Sequence, residues 1–370
     1  MALIACWPSR WRRAETLGAM FRSTNRLALL MHGHLRDRHG KMGFGLLRYS
    51  DATVACVIDA DDAGGDLAAI TGIASASGVP IVRSVDEARA LGADVLVVAV
   101  ATSGGVLPAG YREEILGALT NGMSLVNGLH GRYADDPEYA SALVHDAWIW
   151  DVRQEPSGLV SGRGLAASLA CRRVLTVGTD MAIGKMTASL EMDREGRARG
   201  LRSRMIATGQ IGICITGDGV PLDAVRVDFA SGSIEAQCLK YGPGHDILHI
   251  EGQGSALHPG STAWVPLLRG SMATDLILVH RAGQAHLENG LDVFALPPLR
   301  EVIALYETVA AAGAGYPPAK VRGIALNCAR LTTLAEVDAA CSKVSDETGL
   351  VCVDVVRHGA GRLLDAVLAV

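Results

Sequence analysis

The stretch from Arg173 to Thr187 constrains this chain most: an apolar run ends at Gly178, a short polar loop follows, and Gly184-Lys185-Met186-Thr187 opens an amphipathic segment. The pattern predicts a strand, a tight loop and a helix in immediate succession. Backbone N–H groups in such a loop point inward at an anion, the helix N-terminus adds partial positive charge, and the lysine adds a full one. A side chain at Gly178 or Gly184 would keep the backbone from approaching a phosphate closely. Gly178, Thr179, Asp180, Gly184, Lys185, Met186 and Thr187 are therefore the expected phosphate cradle.

The usual phosphate loop has four residues between its first glycine and Gly-Lys, with Ser or Thr directly after the lysine. Here five intervene and Met186 takes the hydroxyl position. This wider spacing resembles the loop of dethiobiotin synthetase and its P-loop relatives. Thr187 is then the nearby hydroxyl that could face Mg²⁺. Further on, the apolar run Ile247–Ile250 delivers Glu251 onto Gly252-Gln253-Gly254, similar to the Glu-Gly-Ala-Gly-Gly element of the same enzyme. An acid at a strand end beside a phosphate loop commonly holds Mg²⁺ or its waters. Asn327, at the end of another apolar run, resembles the base-reading asparagine of these relatives; read alone, it is equally a turn residue.

The 370 residues exceed what one core usually serves, so two domains are expected. The first twenty-five residues read as an N-terminal extension, with Met20 a candidate for the true start. Residues 26–160 alternate apolar runs with helical patterns, notably at 26–33, 52–59, 80–83, 95–101, 123–130 and 148–152, which predicts a Rossmann-like parallel sheet. Leu67, Ile70, Ile73 and Ala74 share a helical face that Gly78 is placed to end, and Ser84 with Glu87 has the capping-box spacing. Strand ends at Gly33-His34, Asp59, Thr102–Gly105 and Asn127–His130 would line a crevice. The dinucleotide fingerprint does not follow the first strand, so NAD gets little support. Breakers between Gln154 and Gly164 mark the boundary to a P-loop domain over 161–370, with further strands near 204, 246, 275, 321 and 350. The fold class is α/β throughout.

A net charge of −5 and the lack of a basic stripe argue against a nucleic-acid footprint. Eight cysteines show no C-x-x-C pair or ligand spacing, as expected of a reducing cytoplasm, and no apolar run is long enough to span a membrane. A homo-oligomer is expected.

Five elements in order, Gly178–Thr187, Ala207–Gly212, Asp228–Gly232, Glu251–Ser255 and His258-Pro259, resemble a bacterial family long carried as a domain of unknown function and later linked to D-glutamate N-acetyltransferase. The likeness covers nearly everything after the first twenty-odd residues, and Met after the lysine is usual in that family. Two stretches depart from it. His258-Pro259 is followed by Gly260-Ser261-Thr262, and His280–Gln284 lacks an arginine expected near Gln284. If those stretches touch the acceptor, it need not be glutamate.

The resemblance implies acetyl transfer from acetyl-CoA to the amine of a D-amino acid, the loop holding the phosphates of coenzyme A. Glu251 and His258 are candidates for the base; Thr187, Glu251 and Asp228 are candidates for binding Mg²⁺; Arg226, Lys240, Arg269 and Arg281 are available to an acidic acceptor. Two alternatives stand beside this: an ATP- and Mg²⁺-dependent enzyme that activates or phosphorylates a small carboxylate, and a nucleotide-binding module without turnover.

Overall fold

Continuous apolar runs become strands covered on both faces, because every second side chain on each face is then removed from water. In the computed structural model, which describes residues 22–369 other than 289 and 314, two such sheets form. The first comprises β1 (Arg26–Leu30), β2 (Thr53–Ile58), β3 (Ile81–Val82), β4 (Val95–Val98), β5 (Ser124–Asn127) and β6 (Ile149–Asp151). Their order is β3-β2-β1-β4-β5-β6 and every pairing is parallel. This is a doubly wound sheet whose order reverses between β1 and β4, where ligands of such sheets bind. Its core is drawn from Leu30, Ile58, Leu96, Val98, Tyr111, Ile115 and Leu119.

The second sheet comprises β7 (Arg172–Gly178), β8 (Ser203–Ile206), β9 (Ile247–Ile250), β10 (Asp275–Arg281), β11 (Lys320–Asn327) and β12 (Val351–Val353). The order β12-β11-β10-β7-β9-β8 places β7, the strand of the glycine loop, between β9 and β10, again with all pairings parallel. Arg173 is buried inside this unit. Its guanidinium donates to the carbonyls of Ser271, Met272, Leu169 and Cys171, which offsets the cost of taking it out of water.

The chain does not divide at one point. Residues up to 154 form one unit together with residues 210–221, and residues 155–209 and 222–370 form the other. The cut expected at residue 160 thus differs from the observed division chiefly in the return of residues 210–221. That segment carries the helix Gln210–Thr216.

Local signals held unevenly. Thr333 and Glu336 form a full capping box on the helix Leu334–Thr348. At Ser84 only half the box forms: the hydroxyl accepts from Glu87 N–H, whereas the Glu87 carboxylate turns to Arg83 N–H. The helix expected to run on to Gly78 spans Leu67–Thr71 and ends at Gly72, whose φ of +67° closes it with a bond to the Ala68 carbonyl. The N-terminal extension lies, through residue 21, outside the described residues. Seven cysteines from Cys56 onward are free and buried. No helix among the described residues is long and apolar enough to cross a membrane.

Candidate active site

At the carboxyl end of β7 the backbone passes Gly178 and turns through Thr179–Ile183. Gly184, at φ +111°, then starts the helix Lys185–Ala198. That φ is one which side-chain-bearing residues rarely adopt, so glycine is required there. No side chain caps the helix, and the first intrahelical bond is from Ala188 N–H to the Gly184 carbonyl. The amides of Lys185, Met186 and Thr187 are left open at the helix N-terminus, as an anion cradle needs. The buried Lys185 ammonium folds over Gly178 and donates to the Asp180 carbonyl at 2.7 Å. Burial pushes its pKa down to about 8, while Asp180 and Glu251 pull it back up.

The loop is held from several directions. The buried Asp180 carboxylate accepts from Met181 N–H, from Gln284 Nε2 at 2.6 Å and from Glu288 N–H at 3.1 Å. Thr179 Oγ1 lies 3.0 Å from Nδ1 of His280, an imidazole that burial keeps neutral by lowering its pKa to about 4. Tyr306, from the helix Leu299–Ala310, donates its hydroxyl to the Gly178 carbonyl at 2.7 Å and accepts from Ala256 N–H at 2.9 Å. Beside it a shallow cleft is lined by Gly178, Gln253, Gly254, Trp264 and Tyr306 among others.

Glu251 leaves β9 directly alongside. At Gly252 a Cβ would come within 1.8 Å of the Thr176 carbonyl, so only glycine lets the two strand ends approach this closely. Glu251 is buried: Oε2 accepts from Thr208 N–H at 2.8 Å and Gly209 N–H at 3.2 Å, and Oε1 accepts from Gln253 Nε2 at 3.3 Å. Desolvation dominates and lifts its pKa to about 7, although those amides and the Lys185 charge act in the other direction. A carboxyl that titrates near neutrality beside a shielded ammonium is suited to exchanging protons.

The structure thus brings Gly178, Thr179, Asp180, Gly184, Lys185, Met186, Thr187 and Glu251 together. Asn327 joins them as a brace: its Nδ2 donates to the Ile183 carbonyl at 2.9 Å and its Oδ1 accepts from Ala329 N–H at 3.0 Å. Asn327→Ala should therefore cost about 1–3 kcal/mol of stability, since both loop groups lose their partners. Chemical denaturation measures this; an asparagine serving only as a base reader would leave the midpoint unchanged.

His258 sits on the loop after Glu251, where Nδ1 accepts from Gly260 N–H at 3.1 Å. Asp228 is exposed in the first turn of the helix Val227–Tyr241, and among the described residues no hydrogen bond ties it to the loop or to Glu251. As donors for Mg²⁺, Thr187, Glu251 and Asp228 do not fit together. The Glu251 oxygens already accept from protein groups, Met186 offers no oxygen after the lysine, and Asp228 is exposed on its helix with no bond to Glu251 among the described residues.

Of the four cations expected for an acidic acceptor, Arg226 pairs with Glu155, Lys240 lies over Tyr241 and Arg269 over Tyr316. Arg281 reaches the loop, donating to the Ala182 carbonyl at 3.2 Å while pairing with Glu288. Sequence reasoning missed Tyr306, Glu288 and His280 as loop partners. Tyr306 reads simply as a core position on a helical face, and nothing local couples Glu288 to Asp180 across 108 positions.

Residues 160–364 match the family model described as a domain of unknown function, the DUF1611_C P-loop domain, and residues 60–155 match its DUF1611_N Rossmann-like domain. A D-glutamate N-acetyltransferase from Tritonibacter scottomollicae is 38% identical over 297 residues, spanning 78% of this chain and 85% of the relative. Another of that name from a Pseudoalteromonas species is 34% identical over 284 residues, spanning 76% and 83%. The crystal structure of a DUF1611 family protein from Anabaena variabilis aligns with a TM-score of 0.90 at 52% identity, covering 94% of this chain and all of that one.

Proposed function

The chain belongs to the DUF1611 family, and from that premise we propose that it is an N-acetyltransferase that moves an acetyl group from acetyl-CoA to the amine of a D-amino acid, D-glutamate or a close analogue. The observation that carries the reading is the pairing of an open amide cradle at residues 184–187 with a buried carboxyl of near-neutral pKa, Glu251, at the end of the neighbouring strand.

Coenzyme A brings phosphates and an activated thioester when bound. The amides of Lys185, Met186 and Thr187 and the Lys185 ammonium would hold those phosphates, because both point charge and helix dipole favour an anion there. Glu251 in its ionised form takes a proton from the acceptor ammonium and so frees the nitrogen lone pair. A nitrogen–carbon bond then forms at the acetyl carbonyl, the carbon–sulfur bond breaks, and the leaving thiolate takes up the second proton that the nitrogen sheds. Arg281 supplies a cation at the loop mouth for an acceptor carboxylate.

A second reading, ATP-dependent activation of a small carboxylate, is supported by the position of Glu251 beside the loop. The donor set described above gives Mg²⁺ no place in it.

One assay separates the two. Purified protein with acetyl-CoA and a panel of D- and L-amino acids should release free thiol with a D-acid preferred, while added ATP stays intact. Phosphate release without thiol overturns the acetyl-transfer reading in favour of the second.

A further inference from the structure

The first unit holds a cluster that the reaction above does not use. His34, Asp37 and His39 lie on the segment that leaves β1, at the point where the strand order reverses between β1 and β4. Each offers one donor atom, and these atoms all lie within 4.8 Å of one another. His34 Nδ1 is 2.8 Å from one Asp37 oxygen, and His39 Nδ1 is 3.5 Å from the other. The two imidazoles meet edge to face with centroids 5.4 Å apart, both turned to the same carboxylate.

Two further observations separate this cluster from an ordinary polar turn. Nδ1 of His39 is shielded from solvent, and its one contact, to Asp37 at 3.5 Å, is too long for a good hydrogen bond, so the atom is available to an ion. The segment is also fixed before any ligand arrives. Asp37 Oδ1 accepts from His39 N–H at 2.7 Å, His34 N–H donates to the Met31 carbonyl, and the His39 carbonyl accepts from Ala101 N–H just beyond β4. Arg36, one of the cations flanking the cluster in sequence, pairs with Asp62.

We propose that His34, Asp37 and His39 form a binding site for one zinc ion per chain, with an open coordination position facing the carboxyl ends of the first sheet. Two imidazoles and a carboxylate are donors that zinc accepts, and three protein ligands leave the fourth position to water or to an anionic oxygen of a small acid. Donor separations in a tetrahedral zinc site are about 3.3 Å, against the 4.8 Å within which these three atoms already lie. The assignment rests on the first unit alone and stands whether or not acetyl transfer is the reaction.

Chelator-treated protein titrated with Zn²⁺ in a calorimeter should take up one equivalent at micromolar or tighter affinity. His34→Ala and His39→Ala should each weaken uptake at least tenfold, and Lys185→Ala should leave it unchanged. Zinc should raise the melting temperature of the native protein but not of either histidine variant, and apo forms that melt alike show that the variants fold. If a histidine variant fails to fold, Co²⁺ added to the native protein decides the matter: weak visible bands of an imidazole and carboxylate site are expected. An intense sulfur-to-cobalt band would place the ion at cysteines and overturn the proposal. So would absence of uptake by the native protein, or full uptake by a His34→Ala/His39→Ala double variant.

Discussion

Glu251→Gln is expected to lower kcat by roughly 10²- to 10⁴-fold, the usual contribution of a positioned base, while leaving the KM for acetyl-CoA within a few-fold. In the native protein kcat/KM should rise with pH through an apparent pKa near 7, since burial holds the Glu251 carboxyl at about that value. The variant should lose that limb. Stability should move in the opposite direction. The folded-state pKa lies above the unfolded one, so between pH 4.5 and about 7 the folded form retains a proton that the unfolded form has released, and stability falls as pH rises through that window. Above pH 7 the whole penalty is present, and the neutral amide should relieve it by up to about 3 kcal/mol. Urea unfolding at pH 5 and pH 8 reads this directly: a gain confined to the higher pH marks a carboxyl kept buried for chemistry. Full activity in Glu251→Gln would remove Glu251 as the base and leave His258 as the remaining candidate.

Lys185→Ala should raise the KM for acetyl-CoA by roughly 10- to 100-fold, the equivalent of one charge-assisted hydrogen bond at about 1.5–3 kcal/mol. The ammonium also stabilises the Glu251 anion, so its loss should shift the activity limb upward from pH 7. Initial-rate kinetics across pH 6–9 separate the two effects. In the native protein, activity should fall again above about pH 8, where Lys185 loses its proton. A variant with unchanged KM and an unchanged limb would show that the lysine serves only to fasten the loop through the Asp180 carbonyl.

The architecture was largely written in local pattern. The twelve strands among the described residues fall on apolar runs visible in the sequence, because parallel strands buried on both faces leave no room for alternation. The glycine loop was equally legible, since spacing between glycines and a lysine is a statement about backbone geometry. Asn327 was placed at the right strand end, but its engagement with Ile183, 144 positions earlier, depends on how β11 lines up with the loop. The same holds for Tyr306, whose hydroxyl finds a carbonyl 128 positions away, and for Gln284 and Glu288 on Asp180. Local pattern carries no trace of such pairings. Gly72 outranked Gly78 as the helix stop because the earlier glycine already offered the left-handed conformation and the closing bond.

The return of residues 210–221 to the first unit means that the backbone crosses between the units three times, near residues 154, 209 and 221. No single cut in the chain separates the two units. A gene break at the first crossing alone would strip the amino-terminal unit of the helix Gln210–Thr216.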